Sequence, residues 1–156
     1  MKTRLLAFLA LAALLLGGCG AQKAVPEERP AITSETEETN MLQLMIGETA
    51  VPVKWEDNDS VRALTELAAD ESLTIFMSMY GGFEQVGAIG QSIVRDDVQT
   101  TTAAGDIVLY AGDQIVLFYG SNRWAYTRLG HMELSQQELK ELLGHGDVTI
   151  TLSAEG

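Results

Sequence analysis

The segment FYGSNRWAYTRLGHM, Phe118 to Met132, gathers two arginines, a tryptophan, two tyrosines and a histidine within fifteen residues. Guanidinium groups stack on aromatic faces, so Arg123, Trp124, Tyr126 and Arg128 could wall a ligand pocket. The same spacing also has a plainer content. Period two places Trp124, Tyr126 and Arg128 on one face of a strand and Ala125, Thr127 and Leu129 on the other. Aromatic stripes most often pack, so the segment reads first as sheet and rim and second as a docking place. A second set of candidates falls in the glycine-bearing stretch between Tyr80 and Ala104: Tyr80, Phe83, Gln85, Gln91 and Arg95. Glycine-rich connections carry function more often than strands do, with ordinary loop packing as the alternative. The expected groove is therefore built from Tyr80, Phe83, Gln85, Gln91, Arg95, Trp124, Tyr126 and Arg128.

Other chemistries find little support. His131 and His145 are the two imidazoles, and neither sits in a metal-ligand spacing. Asp96 and Asp97 are adjacent, and neighbouring side chains diverge. The separation that a glycosidase carboxylate pair needs cannot be read from them. G-x-S-x-G, the Walker loop and G-x-G-x-x-G are all missing. The sequence implies neither a metal nor a cofactor.

The elements that must position the candidates follow from hydrophobic periodicity. MLQLMIGETAVPVKW alternates as a hairpin with a turn at Gly47–Thr49, and Pro52 puts its second arm at an edge or bulge. Asn58, Asp59 or Ser60 can cap a short helix whose stripe is Val61, Leu64, Leu67 and Ala68. SLTIFMSMY alternates as a strand with one buried face. Tyr80 to Ala104 lacks periodicity; at its length it is functional or hides a short strand, expected around Gly87–Ser92. GDIVLYAGDQIVLFYG is a hairpin whose nearly continuous apolar arms predict cover on both faces. WAYTRLGHM adds a strand. Ser135 to Glu138 fits a capping box, with Leu134 and Leu139 as staple and Gly144 where a left-handed C-cap would fall. DVTITLS closes the chain as a strand. The order β-β-α-β, long connection, β-β-β-α-β predicts a mainly β fold, a closed antiparallel barrel with two short capping helices.

The N-terminal region is of another kind. Met1-Lys2-Thr3-Arg4 is a short basic start, and Leu5 to Leu16 is an unbroken apolar run of twelve. A helix needs about 20 residues to span a bilayer, so the run has the length of a secretory signal rather than a membrane span. It ends in Leu16-Gly17-Gly18-Cys19, which resembles the lipobox of bacterial lipoproteins. That resemblance implies a diacylglyceryl group on the Cys19 thiol and cleavage just before it. Residues 1–18 are then signal peptide and residues 19–40 the lipidated cysteine and an acidic tether, leaving 41–156 as the domain. The location implied is the extracytoplasmic face of the cell membrane, with the membrane as partner through the anchor. Two acyl chains hold a protein stably at a bilayer, at about 0.8 kcal/mol per buried CH₂. Cys19 is the single cysteine, so no internal disulfide can form. The tether has too little apolar surface to order itself.

The formal charge is −12; losing Lys2 and Arg4 leaves 8 basic against 22 acidic residues, or −14. Such acidity argues against nucleic acid and against lying flat on anionic lipid.

The stretches AGDIVLY, QIVLFYG and YTRLG, with GFEQVGAIGQSI before them and LLGHGDVTITL after, resemble the small bacterial cyclophilin-like domain over about Met41 to Ser153. The resemblance implies a closed barrel with two capping helices in a family largely without assigned activity. True cyclophilins draw a catalytic arginine from an FHR stretch, and a phenylalanine and glutamine from FMxQGGD. Neither stretch is here; Phe83-Glu84-Gln85 is the nearest echo, and no catalytic residue transfers. Three readings follow. The first is a binding module for a peptide or small ligand, without catalysis. The second is a prolyl isomerase with a different catalytic set. The third is an accessory subunit of a membrane or redox system, since similar domains can accompany flavodoxin-like proteins.

Overall fold

A computed structural model describes residues 41–155 of the chain. The expectations for the signal, Cys19 and the tether lie outside the described residues. Among the described residues, ten strands and two helices run in the order β1 (Met41–Ile46), β2 (Thr49–Val51), β3 (Val53–Trp55), α1 (Asp59–Leu67), β4 (Leu73–Tyr80), β5 (Glu84–Ala88), β6 (Val98–Thr101), β7 (Asp106–Tyr110), β8 (Gln114–Phe118), β9 (Arg123–Met132), α2 (Gln136–Leu143) and β10 (Val148–Glu155). Every strand pairing is antiparallel. The sheet order is β2-β1-β10-β4-β5-β8-β7-β9-β3, with β6 beside β9. The result is the mainly β, nearly closed barrel with two helices that the hydrophobic pattern predicts.

Proline makes the closure. The second arm of the first hairpin breaks at Pro52 into two short strands on opposite edges of the sheet: β2 pairs with β1, and β3 pairs with β9. Pro52 has no N–H for a ladder, so the chain can leave one edge there and join the other. Its carbonyl accepts from Glu133 N at 2.8 Å. Trp55 Nε1 then donates to Leu42 O at 2.6 Å, tying β3 to β1.

The barrel interior is one apolar cluster. It takes Leu42, Leu44 and Ile46 from β1, Ile75 and Met77 from β4, Leu109 and Ile115 from the central hairpin, and Ile150 and Leu152 from β10. Both helices plug it: Val61, Leu64 and Ala68 from the first, Leu139 and Leu143 from the second. Asn58 is the cap of α1, its Oδ1 accepting from Val61 N at 2.9 Å, while Ser60 turns its hydroxyl to Val94 O. The capping box of α2 forms as read, Ser135 N donating to Glu138 Oε2 at 2.7 Å. At the other end Gly144 is not left-handed, with φ −95°. It is required for space instead, since a Cβ there would stand 2.6 Å from Lys140 O.

The stretch from Tyr80 to Ala104 hides two strands, not one, and the first lies earlier than Gly87–Ser92. The β4–β5 turn uses Gly81 and Gly82, both at positive φ, so β5 begins at Glu84 and pairs with β4 and β8. Its pattern was obscured because Glu84 and Gln85, both polar, are both buried. The second, β6, is mostly exposed and carries no apolar alternation to read.

Candidate functional site

The site grows from the central hairpin having two covered faces. Ile107, Leu109, Ile115 and Leu117 point into the barrel. Val108, Val116 and Phe118 point outward, into a second small cluster with Tyr126, Phe83 and Val86. Strand geometry allows nothing else, because successive side chains alternate. The outer wall of β4, β5, β8, β7 and β9 thus has an apolar floor, and a groove of about 450 Å³ lies over it. Tyr80, Tyr110, Trp124 and Tyr126 supply aromatic walls, and Glu84, Gln114 and Asn122 supply polar groups. Tyr126 meets Phe118 and Tyr110 edge-on, with ring centroids 5.8 and 6.1 Å away. Its hydroxyl accepts from Asn122 Nδ2 at 3.1 Å. Burial, followed by the Glu84 carboxylate, pushes the Tyr126 hydroxyl pKa up. Trp124 is 57% exposed, so its ring is open to an incoming molecule.

Two carboxylates on this outer wall have opposite surroundings. Asp106 is buried and fully engaged. Its Oδ1 accepts from Arg128 Nη2 at 3.0 Å and lies 2.9 Å from His131 Nδ1, and its Oδ2 accepts from Ala103 N at 2.9 Å. Glu84 is only 6% exposed, yet among the described residues its Oε2 has no hydrogen-bond partner. Burial without compensation raises the Glu84 pKa above the ordinary carboxyl value. A buried charge of this kind is costly unless something pairs with it.

The residues singled out in the sequence divide among five places. Tyr80, Trp124 and Tyr126 share the aromatic groove. Arg95 and Arg128, with Tyr126 at the border, line a second groove of about 670 Å³ beside the start of α1. Both arginines are held by acids there: Arg95 Nη1 lies 3.4 Å from Asp97, and Arg128 pairs with Asp106 and, at 3.9 Å, with Glu56. Phe83 packs half-buried against the outer cluster and under Gly120. Gln85 is fully buried and faces inward, its Nε2 donating to Leu143 O and Gly146 O at 2.7 Å each. Gln91 is exposed and lines neither groove. The alternation of β9 holds as far as Arg128. A bulge then leaves Leu129 unopposed between the pairs Val108↔Arg128 and Ile107↔Gly130.

Sequence reading overlooked Glu84, Tyr110, Gln114 and Asn122. For Glu84 a signal existed: once Gln85 and Gly87 are placed inward, period two sends Glu84 and Val86 outward. Tyr110 and Gln114 form the last pair before the hairpin turn, so their outward placement also followed from the register.

A family model described as the cyclophilin-like family matches residues 44–153. The chain belongs to the cyclophilin-like family. Among solved structures, that of McbB in complex with tryptophan shares its fold, with a TM-score of 0.55 at 8% sequence identity. The match covers 74% of this cyclophilin-like chain and 45% of McbB, so the chain spans less than half of that protein's length. At such identity the likeness concerns the fold alone. No curated protein matches the chain.

Proposed function

We propose that this cyclophilin-like chain is a ligand-binding module without catalysis, held at the extracytoplasmic face of the membrane by lipid on Cys19. The observation that carries the binding reading is the outer-wall groove, lined by four aromatic side chains and by Glu84, whose buried Oε2 has no partner among the described residues. Concave apolar sites with a few convergent polar groups are the usual form of a small-molecule site, and 450 Å³ falls within their usual size of about 300–1,000 Å³. A prolyl isomerase needs an arginine beside its apolar slot. The lining of this groove contains none, and Arg95 and Arg128 are engaged by acids around the other groove. The fold-sharing McbB structure contains tryptophan, which makes aromatic amino acids and short peptides reasonable first probes here. The anchor rests on the basic start, the apolar run and LGGC.

The test is a calorimetric and thermal-shift screen of the full chain with aromatic amino acids and proline-containing peptides. Binding that disappears in Trp124→Ala is expected, with no acceleration of cis/trans exchange. Acceleration that is lost on changing Arg95 or Arg128 would overturn the reading. Mass spectrometry of the exported chain is expected to find a diacylglyceryl-modified Cys19 at the N-terminus; an unmodified thiol would remove the anchor.

A further inference from the structure

The geometry points to an organic ammonium ion as the occupant of the aromatic groove, with Glu84 as its counter-ion. This inference rests on the binding reading above and names the chemistry of its ligand. Three observations carry it. Glu84 stands in the groove lining, 94% of its surface is covered, and its Oε2 lacks a partner among the described residues. Buried carboxylates are ordinarily paired or hydrogen-bonded, as Asp106 is nearby. The lining offers Glu84 no cation, since it contains no lysine, arginine or histidine. None of the described residues supplies the partner, and an incoming cation would supply it.

The walls specify what kind of cation. Tyr80, Tyr110, Trp124 and Tyr126 line the same groove as Glu84. The π-face of an aromatic ring is negative and attracts ammonium groups, most strongly where water is excluded. Trp124 and Tyr80 are 57% and 66% exposed, so they have free surface to give to a ligand. A bare metal ion does not suit this lining, because Glu84 is its single carboxylate and it holds no histidine or cysteine. A primary ammonium on an apolar stem suits it well: the stem lies on Val86, Val116 and the rings, and the N–H groups reach Glu84. A free amine and a lysine side chain share this chemistry. The net charge of −12 also draws cations toward the chain.

The experiment is isothermal titration of the full chain with phenethylamine and with its neutral isostere, phenethyl alcohol. A third arm uses an Nα-acetyl-lysine amide and its Nε-acetylated form. The amine is expected to bind at least about tenfold more tightly than the alcohol. Glu84→Gln should erase that preference while the alcohol's affinity is retained, and Trp124→Ala should weaken both. Glu84→Gln removes a buried charge, so it should fold; circular dichroism and the melting curve verify this. Preference for the lysine amide over its acetylated form identifies a side chain as the source, and its absence identifies a free amine. Equal binding of amine and alcohol, both lost in Trp124→Ala, would overturn the cation and leave the binding groove standing. A preference that survives Glu84→Gln would overturn the counter-ion. Absence of binding by all four probes would overturn the cation as well. The groove itself falls only if the aromatic amino acids and peptides of the earlier screen also fail.

Discussion

Replacing Gln85 separates a structural role from a ligand role. Its amide lies inside the barrel wall and holds two carbonyls where α2 ends: Leu143 O and Gly146 O, each at 2.7 Å. The last carbonyls of a helix have no partner within the helix, and Gly144, whose N–H reaches back to Lys140 O, does nothing for Leu143 O. Gln85→Leu keeps a similar volume and removes both donors. The carbonyl of Leu143 is buried, and a dry, unpaired acceptor costs about 1–3 kcal/mol. The bond to Gly146 O is only partly buried, so water recovers part of the roughly 1 kcal/mol it contributes. Against these losses stands one gain, because Gln85 Oε1 is itself buried without a partner and leucine removes that penalty. The net expectation is a loss of about 1–3 kcal/mol. At about 4 °C per kcal/mol for a domain of this size, the midpoint falls by about 4–12 °C. Urea unfolding of wild type and variant measures it, and amide exchange should speed up at the C-terminal turn of α2 first. Since Gln85 faces away from the groove, ligand affinity should not change. An unchanged unfolding midpoint would refute the reasoning, as would lost affinity at unchanged stability.

Two further outcomes follow from the same wall of the barrel. Glu84 holds its proton more tightly in the folded state, because burial raises its pKa. Its ionisation therefore opposes folding: the penalty is absent below the ordinary carboxyl range, grows as pH climbs through the raised folded value, and is complete above it. Glu84→Gln should consequently be more stable than wild type at neutral pH, with the gap closing on acidification; urea midpoints across the pH range test this, and a gap that widens in acid would contradict it. Gly87 has no room for a side chain, since a Cβ would lie 2.4 Å from Met77 Sδ, 2.6 Å from Ile75 Cγ2 and 2.8 Å from Phe76 O. Gly87→Ala should cost about 1–3 kcal/mol by overpacking, read as a lowered melting temperature.

How much of this was legible in the chain depends on how far local pattern outweighed long-range pairing. Strands with one dry face, such as Leu42-Leu44-Ile46 and Ile75-Met77, announce themselves by alternation. The helices announce their starts through Asn58 and Ser135, whose side chains replace missing backbone partners over three residues. β5 does not, because Glu84 and Gln85 are buried for reasons set by other elements: a groove on one side, the end of α2 on the other. β6 is a strand only because β9 lies beside it. The candidate groove was visible in part for the same reason. Tyr80, Trp124 and Tyr126 could be suspected by type, but bringing them to Glu84 and Tyr110 takes the pairings of β4 with β5, β5 with β8 and β8 with β7. The arginines read as groups that could stack on aromatic rings, and the fold pairs them instead with Asp97, Asp106 and Glu56.

The last strand lies between β1 and β4, pairing Ile150 with both Ile46 and Ile75. The opening strand therefore has no sheet to join until the final dozen residues of the domain exist, since its other neighbour, β2, is only its own hairpin arm. A ribosome would release such a chain with its wall still gapped. Contacts this remote in sequence form slowly. Docking of Val148–Glu155 is then the step that seals the wall, and everything before it waits on that one strand.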